Sequence, residues 1–195
     1  MSDRPSPKAP IEDPLQLAVK QFLAATGQPL DDPELMETPR RVAELWRREF
    51  LSGYELEAAE VLAPPHPLAE SSNAVFIKNI AFHGMCPHHL MPLFGVAHLA
   101  YLPGKHITGF GRLARLVACC TQRLVLQERA CDAIAQALMD HLGARGAGCV
   151  LEGKHLCLGI PDDRHIGNQV VTASFVGEME KREDHQARLL TNPSR

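Results

Sequence analysis

Residues 109–143, GFGRLARLVACCTQRLVLQERACDAIAQALMDHLG, contain two helical patterns in succession and decide the expected architecture. Apolar residues recur at helical spacing over roughly Arg112–Arg123 and again over Glu128–Leu142, and Gly143 is placed to end the second helix. Short β-rich runs flank this pair: Ala74–Phe82 and Phe94–Leu102 before it, and Gly148–Gly153, Leu156–Ile160 and Gln169–Val176 after it. The order ββααββ predicts an α+β fold in which an antiparallel sheet carries the helix pair on one face.

The region before the first strand predicts a helical extension. Pro14–Ala25 has the pattern of an amphipathic helix. A second helix is expected to start with Thr38 as its N-cap and Pro39 in its first turn, and to end at Gly53. The charged segment Glu178–Arg188 predicts one more short helix. The expected parts are a flexible arm at residues 1–12, the helical extension at 13–60, a linker at 61–73 and the main domain at 74–195.

The composition is that of a globular protein. Of the 195 residues, 45% are apolar and 22% charged, which excludes wholesale disorder and a fibrous fold. The net charge of −3 argues against a dominant nucleic-acid binder. No stretch approaches the roughly 18 apolar residues of a membrane helix. The first residues, MSDRPSPKAPIED, are charged and proline-rich where a signal peptide needs an apolar segment, so we expect a cytoplasmic protein.

Thiols and imidazoles are concentrated in two short motifs. Cys86-Pro-His-His89 lies in the loop between the first two predicted strands, and His155-Leu-Cys157 lies far along the chain at a predicted strand edge. Residues two apart in a strand share a face, so His155 and Cys157 are expected to point into the same pocket. Zinc prefers thiolate and imidazole, and a catalytic zinc takes three protein ligands. The pattern predicts a zinc site, although spacing alone equally admits unrelated core or surface residues.

A polar cluster lies at the helix pair. Its members are Arg112, Arg115, Gln127, Glu128 and Arg129. A carboxylate beside an amide can accept two parallel hydrogen bonds from the N–H edge of guanine, and arginines suit phosphate. The alternative is a solvated helix face whose charges complement the helix dipole. The four other cysteines are expected to pack in the core: Cys119, Cys120, Cys131 and Cys149.

These residues together resemble those of GTP cyclohydrolase I. The family's order and spacing recur in four motifs: Cys86-Pro-His-His-Leu90, Gly109-Phe-Gly-Arg-Leu-Ala-Arg115, Gln127-Glu-Arg129 and His155-Leu-Cys157. A fifth segment is similar to the family's N-terminal helix motif: Glu37-Thr-Pro-Arg-Arg41 followed by Phe50-Leu-Ser-Gly53. The resemblance runs from about Asp32 to the C-terminus, and five matches in order are jointly specific.

The resemblance implies a role for each matching position. The zinc ligands would be Cys86, His89 and Cys157, and the catalytic histidines would be His88 and His155. Gln127 and Glu128 would hold the guanine ring, while Arg112, Arg115 and, from a neighbouring subunit, Arg41 would lie near the triphosphate. The implied fold is the tunnelling fold, assembled as a toroidal homodecamer with active sites at subunit interfaces. The implied reaction opens the imidazole ring of GTP at C8 with Zn²⁺, releases formate and gives 7,8-dihydroneopterin triphosphate, a precursor of folate or a related cofactor.

Three departures from the family pattern lie on the substrate side. Pro87 replaces a glutamate, Gly111 replaces a serine, and Pro161-Asp162 replaces an Arg-Gly pair. Asp162 and Asp163 would repel a triphosphate, and Arg164 is placed to compensate in part. Two alternatives therefore stay open: a diverged relative acting on another purine nucleotide in a specialised pathway, or a zinc-bound ring protein without activity. The presence of His88, His155 and Glu128 argues against the inactive form.

Overall fold

The computed structural model of the chain describes residues 13–68, 73–161, 165 and 167–191. The predicted arm at residues 1–12 lies outside the described residues, and so do Asp162, Asp163 and Arg164. The chain divides between Arg48 and Glu49 into two units. None of the helices within the described ranges has the length and apolar content needed to cross a bilayer.

The described part of the first unit contains two α-helices. Helix α1 (Pro14–Ala25) has the predicted bounds and packs against α2 (Thr38–Leu45). Asp13 caps α1, because its Oδ1 accepts a hydrogen bond from the Leu15 N–H at 3.0 Å. The only buried residue of α1 is Val19.

The helix predicted from Thr38 to Gly53 is shorter than expected. Helix α2 ends at Leu45, and a π-helical turn at Trp46–Phe50 and a 3₁₀ turn at Ser52–Glu55 follow. Thr38 is not the N-cap, since it already lies within the helix and its hydroxyl donates to the Glu34 carbonyl at 3.5 Å. Gly53 lies within that 3₁₀ turn, and its N–H donates to the Gln122 carbonyl at 3.0 Å, which fixes the turn against Gln122.

The second unit contains the predicted ββααββ order. Its elements are α3 (Ala58–Leu62), β1 (His66–Pro67), β2 (Val75–Met85), β3 (Pro92–Leu102), β4 (His106–Ile107), α4 (Phe110–Thr121), α5 (Gln127–Leu142), β5 (Gly146–His155), α6 (Leu156–Gly159), β6 (Val170–Gly177) and α7 (Glu183–Leu190). Strands β2, β3, β5 and β6 form one antiparallel sheet in that spatial order, and β1 pairs with β4. The α+β fold class is confirmed.

Alternation along β3 supplies both faces of the sheet with apolar side chains. Leu99 and Tyr101 join the core that α4 and α5 cover, where α4 contacts β2 and α5 contacts β5 and β6. Ala100 and Leu102 pack on the opposite face with Leu189 of α7. The helix pair therefore lies on one face of the sheet, as predicted. Helix α5 ends at the predicted Gly143, which has φ 65°.

One predicted strand is wrong. The sequence predicts strand character for Leu156–Ile160, but β5 ends at His155 and Leu156–Gly159 forms the single helical turn α6. The Ile160 N–H donates to the Leu156 carbonyl at 2.9 Å and closes this turn. Ile160 is 63% exposed, so it does not supply a buried strand face.

Two further predicted segments, the linker and the C-terminal helix, can be compared with the structure. The stretch predicted as a linker includes the end of α3 and the two-residue strand β1, and residues 69–72 lie outside the described ranges. The predicted C-terminal helix consists of a 3₁₀ turn at Glu178–Lys181 followed by α7. The boundaries of the four predicted parts stay a prediction.

Candidate active site

Three side chains that could hold a metal ion meet at one end of the sheet. Cys86 follows β2 directly, His89 lies in the loop to β3, and Cys157 lies in α6 after β5. Leu93 near the start of β3 is paired in register with His155 at the end of β5, so the loop and α6 are neighbours. The ligand atoms of these three residues, the Cys–His–Cys group, all lie within 4.8 Å of one another.

A tight turn folds His89 back toward Cys86. The Leu90 N–H donates to the Cys86 carbonyl at 2.9 Å, and the Cys86 N–H donates to the Met91 carbonyl at 2.9 Å. Leu90 has φ 52°, a left-handed conformation that is uncommon for a bulky side chain. Neither hydrogen bond needs an N–H from Pro87, so the proline that departs from the family pattern fits the turn.

The Cys–His–Cys group fits zinc. With Zn–S near 2.3 Å and Zn–N near 2.0–2.1 Å, two neighbouring ligands of a tetrahedral zinc lie about 3.6 Å apart. Cys86 Sγ and His89 Nδ1 are 3.8 Å apart. Two thiols and one imidazole are the donor set that zinc prefers, and three protein ligands leave a fourth position, as in catalytic sites. Burial and the nearby Cys86 thiol raise the pKa of Cys157, so ligation would displace a proton from that thiol.

A cavity of about 180 Å³ lies beside this group. Four predicted site residues line it together with the group: His88, Gln127, Glu128 and His155. Sequence reasoning missed the apolar wall, which is formed by Leu93, Val125 and Leu126. The position of Val125 and Leu126, directly before the guanine-binding pair implied by the resemblance, was the available signal for them. Leu93 carried no signal, because only its register with His155 places it there.

The His155 imidazole is held in a polar contact at the back of the cavity. Its Nε2 lies 2.9 Å from Oε1 of Gln127, the buried first residue of α5. Burial lowers the pKa of His155, and the negative charge of Glu128 opposes part of that effect. His88 lies in the loop beside His89, with its ring edge-on to that of His89 at 6.2 Å between centroids.

The arginines implied for phosphate binding lie elsewhere. Arg112 donates to the Pro64 carbonyl, and neither Arg112 nor Arg115 lines the cavity beside the Cys–His–Cys group. Arg129 lines a different cavity, of about 450 Å³, between α3, α4 and α5. Arg41 belongs to α2 in the first unit. The described residues that line the site therefore include no lysine or arginine.

Comparison with known proteins gives the family. The family model for GTP cyclohydrolase I matches residues 15–193. The chain belongs to that family. A GTP cyclohydrolase 1 of Ralstonia nicotianae is 42% identical over 167 residues, which cover 85% of this chain and 79% of the relative. A GTP cyclohydrolase 1 of Streptococcus pneumoniae is 37% identical over 170 residues, which cover 87% of this chain and 91% of the relative.

Membership of the GTP cyclohydrolase I family confirms the resemblance noted in the sequence. The chain is accordingly an enzyme, a hydrolase of the EC 3.5.4 type. Among solved structures, the archaeosine synthase QueF-Like in the apo form matches with a TM-score of 0.46 and 14% identity, over 55% of this chain and 97% of that chain.

Proposed function

We propose that this chain hydrolyses the imidazole ring of GTP at C8, releasing formate and giving 7,8-dihydroneopterin triphosphate, with Zn²⁺ held by the Cys–His–Cys group. One observation carries the proposal: the group shares its cavity with two further histidines and a carboxylate, His88, His155 and Glu128. Family membership supports the substrate class and the reaction. A cytoplasmic location and a place in folate and one-carbon metabolism are further proposals of the same kind.

Each side chain has a proposed task. The Glu128 carboxylate accepts hydrogen bonds from the N–H edge of guanine and so orients C8 toward the Cys–His–Cys group. His88 and His155 act as general acid and base, and one of them protonates the ring nitrogen as the imidazole opens. Zinc, when bound, supplies Lewis-acid activation of water near neutral pH. Leu93, Val125 and Leu126 exclude bulk water from one side of the cavity.

We propose that arginines bind the triphosphate and that a neighbouring copy of the chain contributes some of them. The copies would form a homo-oligomer, which we propose to be a decameric ring. Two observations support this: the described lining of the cavity has no lysine or arginine, and β2 and β6 each pair on one side only within the described part of the chain. Unpaired sheet edges favour pairing with another copy. The candidate arginines are Arg41, Arg112, Arg115 and Arg164.

A relative that acts on another purine nucleotide is the second candidate. It is favoured by the engagement of Arg112 with the Pro64 carbonyl and by Pro161, which stands where the family has an arginine. A substrate with fewer phosphates would need fewer cationic contacts.

The test is turnover of a panel of guanine compounds by the zinc-loaded protein. Incubation with GTP should release formate and give a product that becomes fluorescent on oxidation. A full complement of zinc with neither product would contradict the first proposal. Faster turnover of GDP, GMP or guanosine than of GTP would establish the second candidate instead. His88→Ala is the matched control, because it should abolish formate release while the zinc content stays at the wild-type level.

A further inference from the structure

The side-chain amide of Gln127 has one possible orientation. Its Nε2 lies 3.0 Å from the Leu151 carbonyl oxygen, 3.0 Å from the Val170 carbonyl oxygen and 3.2 Å from Thr172 Oγ1. Carbonyl oxygens can only accept hydrogen bonds, so the nitrogen of the amide must lie on this side and its oxygen on the other. Both N–H groups of the amide are therefore used by β5 and β6. None remains to bind a substrate.

The orientation of the amide fixes the protonation of His155. Gln127 Oε1 lies 2.9 Å from His155 Nε2 and can only accept, so Nε2 must carry a proton and donate it. Nδ1 is then the ring nitrogen that remains for exchange with a substrate. Within the described part of the chain, Nδ1 makes no hydrogen bond. The contact thus selects one tautomer and one ring orientation.

Gly153 leaves the room for this arrangement. A Cβ at this position of β5 would lie 2.4 Å from Gln127 Oε1 and 3.3 Å from Cζ of Phe82. The amide oxygen therefore occupies the space of the missing side chain, where it reaches past the strand to His155. This requirement is independent of the hydrogen bonds that orient the amide.

We propose that Gln127 is a positioning residue: it holds His155 as the Nε2–H tautomer with Nδ1 toward the cavity and does not bind guanine. The proposal rests on the proposed function of the cavity. It separates two adjacent residues that the sequence resemblance groups together, because Glu128 is assigned to the base and Gln127 to the histidine. A displaced histidine should slow the chemical step and leave guanine binding intact.

The experiment compares Gln127→Met and Gly153→Ala with the wild type. We expect kcat to fall on the order of 10²-fold in both variants, with KM for GTP within about 2-fold of wild type. Gln136→Met is the matched control, because Gln136 is exposed on the same helix and bonds only to Asp140 within the described residues. If Gln127→Met fails to fold, as judged by zinc content and a melting transition, Gly153→Ala decides the question alone.

A double-mutant cycle shows whether Gln127 acts through the histidine. In a His155→Ala background, Gln127→Met should cause no further loss of kcat, and GTP should bind to both proteins with the same Kd by calorimetry. The proposal would be overturned if Gln127→Met lowered kcat by the same factor in the wild type and in the His155→Ala background. It would also be overturned if Gln127→Met raised the Kd for GTP and left kcat unchanged. If the wild type does not turn over GTP, the proposed function fails. Crystal structures of the wild type and Gln127→Met then decide, since an unmoved His155 ring would overturn the proposal.

Discussion

His98 Nε2 lies 3.6 Å from Glu152 Oε1 on the face of the sheet that α7 covers, and the His98 side chain is only 1% exposed. The Asn79 N–H donates to His98 Nδ1 at 3.3 Å, so the proton of the neutral ring is on Nε2. Burial lowers the pKa of His98, and Lys78 adds to this effect while Glu152 opposes it. A second proton on the ring would displace the Asn79 hydrogen bond.

This pair predicts how the stability of the protein depends on pH. The pKa of His98 is lower in the folded chain than its unfolded value of about 6.5, so the folded state binds fewer protons. The contribution of neutral His98 to the free energy of unfolding is complete above about pH 6.5. As the pH falls below that value, the free energy of unfolding decreases by at most about 1.4 kcal/mol per pH unit on account of His98. Urea unfolding between pH 7.5 and 5 measures this decrease in the free energy of unfolding. In His98→Gln the part of the decrease that is due to His98 should be absent. An identical pH dependence in the variant and the wild type would contradict the assignment.

Removing a thiol from the Cys–His–Cys group should abolish metal binding. Cys157→Ser should reduce the zinc content, measured by plasma emission spectrometry after dialysis, from about one ion per chain to near zero, because a catalytic site has three protein ligands. Formate release should disappear with it. Cys120→Ser is the control, since Cys120 is half-buried on α4 and lies outside the group. A zinc content in Cys157→Ser equal to that of Cys120→Ser would exclude Cys157 as a ligand.

The carboxylate of Glu128 should determine recognition of the base. Glu128→Gln should lower kcat/KM for GTP by roughly 10- to 100-fold, because a hydrogen bond to a charged group contributes about 1.5–3 kcal/mol. ITP, which lacks the 2-amino group of guanine, should lose less from the same substitution. Steady-state rates on both nucleotides give the comparison. An equal loss on GTP and ITP would indicate that Glu128 does not contact the 2-amino group.

Two glycines at helix ends should respond to alanine in opposite directions. Gly143 has φ 65° after α5, so Gly143→Ala should lower the free energy of unfolding by about 1 kcal/mol. Gly111 lies in the first turn of α4, where an added Cβ would meet no atom within 4 Å, so Gly111→Ala should raise it by about 0.5–1 kcal/mol. Denaturant titration measures both. A stabilised Gly143→Ala variant would show that this helix end tolerates another conformation.

The sequence predicts the layers of the fold well because periodicity is a local signal. The two helical patterns and Gly143 sufficed for α4 and α5, and the short β-rich runs sufficed for β2 and β3. The signal failed at Leu156–Ile160, where five largely apolar residues fit a strand as well as a turn of helix. Local propensity does not decide between these two forms in so short a segment.

The site was predictable in its residue types and less so in its contacts. The resemblance pointed to the Cys–His–Cys group, two further histidines and the pair Gln127 and Glu128, and these line one cavity, whereas the implied arginines do not. The bonds of Gln127 were not predictable, because its partners include the backbone carbonyls of Leu151 and Val170, which any residue type would supply. The same holds for Arg112, whose partner is the carbonyl of Pro64.

The register between Leu93 and His155 has a consequence for how activity arises during folding. Side chains on neighbouring strands alternate, so a slip of β3 against β5 by a single residue would send the imidazole to the opposite side of the sheet from Cys86. Catalytic competence is therefore acquired in one step with correct strand alignment. A misaligned chain would be wholly inert, however much of its helical content it had already gained.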